Sequence, residues 1–387
     1  MDAVERAYLA LLRASGGRDP APQALADAAG VPLEEAAARA QRIRKGRARL
    51  AAMLAGDRGI EQRTPAWYVA RDGLITASDV AQAIGKGKFV TGARGRDELK
   101  WKKIERAPNV DPPPGAFSPF FWGQIFEDVA SRLYCQTRDG VAVHDFGLLV
   151  HPTEKHVGCS PDGVSELGVM LEIKCPIKRR IVDGEIVEQY LIQMQVQMEV
   201  ADLDECDFIE VEIDQYCTFS EMEADVARGW DVKGVIASDD ADKVHAYSPA
   251  GLDAAGLRAW LVERGRDVEG DAWPKTRMWA LRKMAVQRVA RDRAFWAGIA
   301  PQVASFWADV VAGRASGATK PPPAERRSRA KKVSDEMPPF PAALFGAIPV
   351  AKKDFVAPEP APAPAPAPAP SKAAALFATL RRQRSPA

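Results

Sequence analysis

No stretch of the 387-residue chain approaches the roughly 20 apolar residues needed to cross a membrane. The opening MDAVERAYLALLRASGG brings acids early and lacks the apolar core of a secretory signal, which predicts a cytoplasmic protein. Cysteine is scarce: Cys135, Cys159, Cys175, Cys206 and Cys217 are odd in number and show no CxxC spacing. That pattern fits free thiols in a reducing compartment, each read as a small buried hydrophobe. Net charge is nearly absent at +1, but it is unevenly spread. Residues 313–387 hold 13 Lys+Arg against 5 Asp+Glu, while residues 63–312 hold 30 against 39. An acidic middle is no general polyanion binder. To handle nucleic acid it needs local basic patches and metal ions that offset its carboxylates.

What is present divides into three parts. Residues 1–60 form a helical module. Ala26, Gly30-Val31 and the helix start Pro32-Leu33-Glu34-Glu35 have helix-turn-helix spacing, followed by the basic run RIRKGRAR. Either a DNA-binding module or a plain helical hairpin with a solvated basic face fits this pattern. Residues 63–312 form the main domain. Residues 117–137 have helical periodicity; 141–151, 155–160 and VMLEIKCP read as strands; 185–201 reads as helix and 207–214 as strand. In that last strand Glu210, Glu212 and Asp214 share one face, expected to be solvated. Two further helical stretches are expected near 220–237 and 252–267. The aromatics of 274–312 (Trp279, Phe295, Trp296, Phe306, Trp307) are expected in the core. The order describes a mixed α/β core. From 313 onward 15 of the chain's 30 prolines and an alternating Ala-Pro run predict a disordered tail. It ends in the short basic peptide KAAALFATLRRQR, which PAALFGAIPV precedes in similar form.

The main domain holds CSPDGVSELGVMLEIKCP. Strand residues two apart share a face, so Glu172 and Lys174 project together, and a preceding hairpin brings Asp162 beside them. Neighbouring carboxylates repel and raise each other's pKa. A divalent cation relieves that, and oxygen-only ligands suit Mg²⁺ or Mn²⁺. The spacing alone decides nothing, because Glu98 and Lys100 repeat it on a helix. The Pro-Asp-Gly turn upstream is the discriminating context. Glu127 on the preceding helix would complete a carboxylate cluster. Gln193 and Gln197, one turn apart among apolar residues, need polar partners if buried. In RDGLITASDV, Arg71 and Ser78 flank a turn before a helix capped by Thr76 or Ser78, an arrangement suited to phosphate.

Together RDGLITASDV, FWGQIFEDVA, CSPDG, LEIKCP and YLIQMQVQM resemble, in family order, the lambda-exonuclease-like, YqaJ-type viral recombinase nucleases of the PD-(D/E)xK superfamily. The resemblance covers about residues 63–312. It implies a restriction-endonuclease-like core, a mixed sheet flanked by helices. It makes Glu127, Asp162 and Glu172 metal ligands together with the Ile173 carbonyl, Lys174 the catalytic lysine and Gln193 the residue that positions the nucleophile. Arg71 and Ser78 match the residues that bind the 5′-phosphate. The implied activity is Mg²⁺-dependent 5′→3′ digestion of double-stranded DNA, with Mn²⁺ as a substitute. It leaves 3′ tails for a strand-annealing partner and is carried out by a ring-shaped homotrimer. The other readings are an endonuclease or another nuclease on the same core, and a non-catalytic adaptor binding DNA ends. No cysteine follows Cys217, which argues against the nucleases with a C-terminal iron–sulfur cluster. The N-terminal module and the tail lie outside the resemblance.

Overall fold

The computed structural model describes residues 1–56, 58–87, 90–106, 119–239, 244–264 and 275–321. The expected tail peptides and Ala-Pro run therefore lie outside the described residues. Contacts divide the chain between Pro322 and Pro323, and every helix and strand named here belongs to the first unit, Met1–Pro322. Its main sheet has seven strands in the order Val143–His144, Gly163–Ser165, Met170–Lys174, Glu205–Tyr216, Thr276–Ala290, Lys233–Ser238, His245–Tyr247. Met170–Lys174 and Glu205–Tyr216 run parallel and the other pairs antiparallel, so the sheet is mixed, as expected. The parallel pair needs a crossover, and the helix Glu188–Ala201 supplies it. That helix is apolar on more than one side because it is covered on more than one side. Met194 and Met198 pack with Met170 and Phe208 of the sheet. Ile192, Val196 and Val200 pack with Val80 of the helix Ala77–Ala83 and with Val303 and Phe306 of the helix Arg293–Ala315. A small second sheet, Ile75–Thr76, Val157–Cys159 and Leu149–Val150, lies on that side.

The N-terminal helices Ala3–Ala14, Pro22–Ala29 and Leu33–Ala55 share a hydrophobic cluster with the sheet and with the helix Pro119–Gln136. Tyr8, Leu25, Ala40 and Ile43 meet Phe126, Val129, Leu171 and Ile209 there. Gly30 takes a left-handed conformation and closes the second helix, and the third starts after Pro32, so a short turn joins the two. Arg42 is exposed, and the other four cations of the basic run have partners elsewhere in the fold. Arg44 donates to the Pro20 carbonyl at 2.7 Å, Arg47 lies 3.3 Å from Asp19, Arg49 donates to the Ala201 carbonyl at 2.7 Å, and Lys45 pairs with Asp204. Gly46 and Gly168 explain how closely the third helix approaches the sheet. A Cβ on either would press into the other segment's backbone, at 2.9 and 2.1 Å respectively.

Three expectations need correction. Of 220–237 the helix Phe219–Ala224 and a single 3-10 turn at Trp230–Val232 are helical; Lys233–Ser238 is a buried strand, because KGVIAS pairs with Thr276–Ala280 along an edge the sheet offers it. Glu210 and Glu212 are buried, not solvated, and each meets an arginine from the loop after Lys174. Of the five free cysteines only Cys159 and Cys206 are buried; Cys217 is exposed at the end of its strand. Trp279, Trp296 and Phe306 are in the core, as expected, while Phe295 and Trp307 pack against it half-buried.

Candidate active site

One cavity of about 810 Å³ opens where the strand Met170–Lys174, the helix Pro119–Gln136 and the helix Glu188–Ala201 converge. Glu127, Asp162, Ile173, Lys174, Gln193, Arg71 and Ser78 all line it. Glu172 lies behind this lining, fully buried. The hairpin inferred from Pro-Asp-Gly is present: Gly163 pairs with Leu171 in antiparallel register, which sets Asp162 beside Glu172 and Ile173. Asp162 Oδ2 accepts a 2.6 Å hydrogen bond from the Ile173 amide. Glu172 uses one carboxylate oxygen to hold the Lys174 ammonium. The other accepts from Gln197 Nε2 at 2.9 Å. Glu127 pairs with Arg63 at 2.9 Å.

The electrostatics follow from burial in a like-charge group. Burial pushes the Asp162 carboxyl well above the usual carboxylate range, and Glu172 and Glu127 add to the push. Burial likewise raises Glu127, with Asp128 and Glu172 helping, although Arg63 and Lys174 oppose it. Burial by itself would lower the Lys174 ammonium, but Glu172 and Asp162 outweigh that and raise it, so it is firmly protonated.

Gln193 and Gln197 part company, although they sit one turn apart. Both line the cavity, but Gln193 is half-buried, whereas Gln197 is buried against Glu172 and its Oε1 has no hydrogen-bond partner. The family resemblance carries the role to Gln193 alone; the position of Gln197 one turn on from Gln193 among apolar residues was the signal for it. Gln195 between them braces the fold, donating to the Ala290 carbonyl at 2.8 Å and accepting from the Asp292 amide at 2.7 Å.

Arg71 lies over the Trp67 ring, 4.2 Å from its centroid, and Trp67 Nε1 donates to Ser160 Oγ at 3.0 Å, two residues before Asp162. Arg71 also donates to Thr76 Oγ1 at 3.4 Å, and Thr76 Oγ1 stands 3.1 Å from the exposed Ser78 hydroxyl. Thr76, not Ser78, is the helix cap, in a capping box with Asp79. The Asp79 carboxylate therefore already occupies that helix start, with Lys103 at 2.9 Å. Any phosphate recognition here falls to the Arg71 guanidinium and the Ser78 hydroxyl.

The fold and this site define a mixed α/β domain with a carboxylate–lysine cluster at one cavity. Residues 66–204 match the model of the YqaJ-like viral recombinase domain, so the likeness read from the motifs is borne out over that span. A protein called uncharacterized protein R354, from Acanthamoeba polyphaga mimivirus, is 33% identical over 120 residues, covering 27% of this chain and 22% of that protein. The chain thus spans about a fifth of the curated relative it matches. Among solved structures, an alkaline exonuclease from Laribacter hongkongensis is 22% identical and covers 65% of this chain and 95% of that one, with a TM-score of 0.40. A phage-related exonuclease from Haemophilus somnus is 13% identical, covering 63% and 96%, with a TM-score of 0.36. No helix among the described residues is long and apolar enough to cross a membrane.

Proposed function

We propose that this protein is a Mg²⁺-dependent deoxyribonuclease that digests double-stranded DNA from its 5′ ends and leaves 3′ single-stranded tails for a strand-annealing partner. One observation carries the reading: Glu127, Asp162, Lys174, Gln193, Arg71 and Ser78 line a single cavity although they come from five separate segments of the chain. The residues fit a hard divalent cation by donor chemistry. Three carboxylates and the Ile173 carbonyl supply oxygen only, and burial without enough compensating charge raises two of the acids. Among the described residues no three acidic, histidine or cysteine side chains stand ready around one point. Asp162, Glu172 and Glu127 are turned to Ile173, Lys174 and Arg63, partners from which they would swing.

A Mg²⁺ or Mn²⁺ ion held by Glu127, Asp162, Glu172 and the Ile173 carbonyl would supply an acidified water and a counter-charge for the leaving oxygen. The chain's own residues do the rest. Lys174, kept protonated by its carboxylate neighbours, donates hydrogen bonds toward the reacting phosphate and steadies the charge that develops there. Gln193 orients the attacking water. Gln197 donates to one Glu172 carboxylate oxygen and keeps it satisfied in the buried floor of the site. Arg71, stacked on Trp67, and Ser78 meet the terminal phosphate.

The test supplies linear duplexes with 5′-phosphate or 5′-hydroxyl ends, and a closed circle, with and without Mg²⁺. The reading expects Mg²⁺-dependent digestion of the linear DNA, faster from 5′-phosphate, and an intact circle. Cleavage of the circle would make the protein an endonuclease, and binding without cleavage would make it an adaptor.

A further inference from the structure

The strand Glu205–Tyr216 lies beside Met170–Lys174, with Lys174 paired to Glu210 and Glu172 to Phe208. Paired residues of neighbouring strands share a face. The buried Glu210 and Glu212 therefore stand on the catalytic face of the sheet. They are not idle. Glu210 holds the Arg179 guanidinium. Glu212 holds Arg180 at 3.0 Å and accepts from the Ile181 amide at 2.6 Å, which fastens the backbone of the same loop. The loop Cys175–Ile181 is thus pinned from beneath by two buried carboxylates. Lys178 and Arg179 line the active-site cavity, and Lys178 is exposed.

Burying a carboxylate is costly unless it is paired, and pairing it at the floor of a cavity fixes the partner's direction. A guanidinium carries five donors, and Glu210 cannot occupy them all. Arg179 lines the cavity together with the cations Lys178, Lys174 and Arg71. Glu210 Oε2 is buried without a hydrogen-bond partner, so its pairing with Arg179 rests on one oxygen.

We propose that the loop Lys178-Arg179-Arg180 is a phosphate clamp of this site. Arg179 contacts a backbone phosphate of the DNA strand next to the scissile one, Lys178 adds a second contact, and Glu210 is the positioning residue that aims Arg179. The proposal rests on the DNA-processing reading given under the proposed function. It adds the residues that grip the strand beyond its end.

The test is binding of a short 5′-phosphorylated DNA duplex to the full-length protein in the absence of divalent metal, read by fluorescence anisotropy across a salt series. Arg179→Ala should weaken binding about tenfold or more and lower the slope of log K against log salt by roughly one phosphate contact. Arg179→Lys should recover only part of this, because an ammonium lacks the fork. Glu210→Gln is the decisive variant. It removes a negative charge beside the DNA, so charge alone predicts tighter binding. Loss of aim predicts weaker binding by about threefold or more, despite the added net positive charge. Because Arg179→Ala strands the buried Glu210 carboxylate, the double variant Arg179→Ala/Glu210→Gln, which removes both charges and is checked for parent-like heat unfolding, separates lost contact from lost fold.

Unchanged affinity in Arg179→Ala, or tighter binding in Glu210→Gln, overturns the clamp while leaving the cleavage reading intact if the parent protein still digests DNA. A parent protein that neither binds nor cuts the duplex overturns both.

Discussion

A terminal 5′-phosphate carries more negative charge than an internal diester, and a guanidinium fork senses the difference. Arg71 has the surroundings for this, since the Trp67 face fixes its plane and Thr76 Oγ1 takes one donor. A charge-assisted contact on the order of 1.5–3 kcal/mol corresponds to roughly 10- to 150-fold in rate. Arg71→Ala should slow digestion of 5′-phosphorylated duplex by about that factor and affect 5′-hydroxyl duplex much less. Initial rates on the two matched substrates measure it, and equal slowing on both would make Arg71 a general DNA contact. At this scale the sequence was legible wherever chemistry and spacing coincided. Asp162, Glu172 and Lys174 stand where a Pro-Asp-Gly turn and period-2 alternation put them. Glu210 and Glu212 were not legible. An acid/apolar alternation reads the same whether its polar face meets water or buried arginines, and their partners come from 31 and 32 residues away in the chain.

Helices and strands are joined here by charge as well as by apolar packing. Glu5 of the first helix, fully buried, pairs with Arg39 of the third helix and lies 2.9 Å from Arg288 of the strand Thr276–Ala290. Asp207 of the neighbouring strand meets Arg288 at 2.6 Å and accepts from Tyr134 at 2.7 Å. Burial alone would raise the Glu5 carboxyl, but Arg288 and Arg39 outweigh it and, with the Asp2 amide, bring it from 4.5 to about 2. A carboxyl lowered on folding stabilises the protein above its unfolded value near 4.5, and the contribution fades as pH falls toward 2. By linkage that is on the order of 3 kcal/mol at neutral pH. Glu5→Gln should therefore be less stable than the parent by about that amount at pH 7, and the gap should narrow steadily between about pH 5 and pH 2. Denaturant unfolding of both proteins across that range checks it; a gap that stays constant with pH would mean Glu5 acts through shape and not through charge. The helices themselves were legible from periodicity. Their fastening was not, because the run RIRKGRAR looks like a solvated face until Asp19, Asp204 and two carbonyls are brought to it by the fold.

In the described molecule the sheet, the crossover helix and the helix Pro119–Gln136 gather Glu127, Asp162 and Lys174 at one cavity, with Glu172 buried behind them. The strands Lys233–Ser238 and Thr276–Ala290 escaped sequence reading because their partners are distant in the chain and decide their state. Whether this carboxylate group takes a divalent cation can be tested apart from catalysis. Asp162→Asn keeps an acceptor for the Ile173 amide while removing one charge from a repelling group, so its metal-free stability should match or exceed the parent's. The measurement is heat unfolding of parent and Asp162→Asn, each with and without Mg²⁺, alongside cleavage of linear duplex. A bound ion stabilises only the state that binds it. The parent should gain stability with Mg²⁺ and cleave DNA; the variant should gain little and cleave none. A variant that Mg²⁺ stabilises as much as the parent, or that digests DNA at the parent's rate, would contradict cation binding at this cluster.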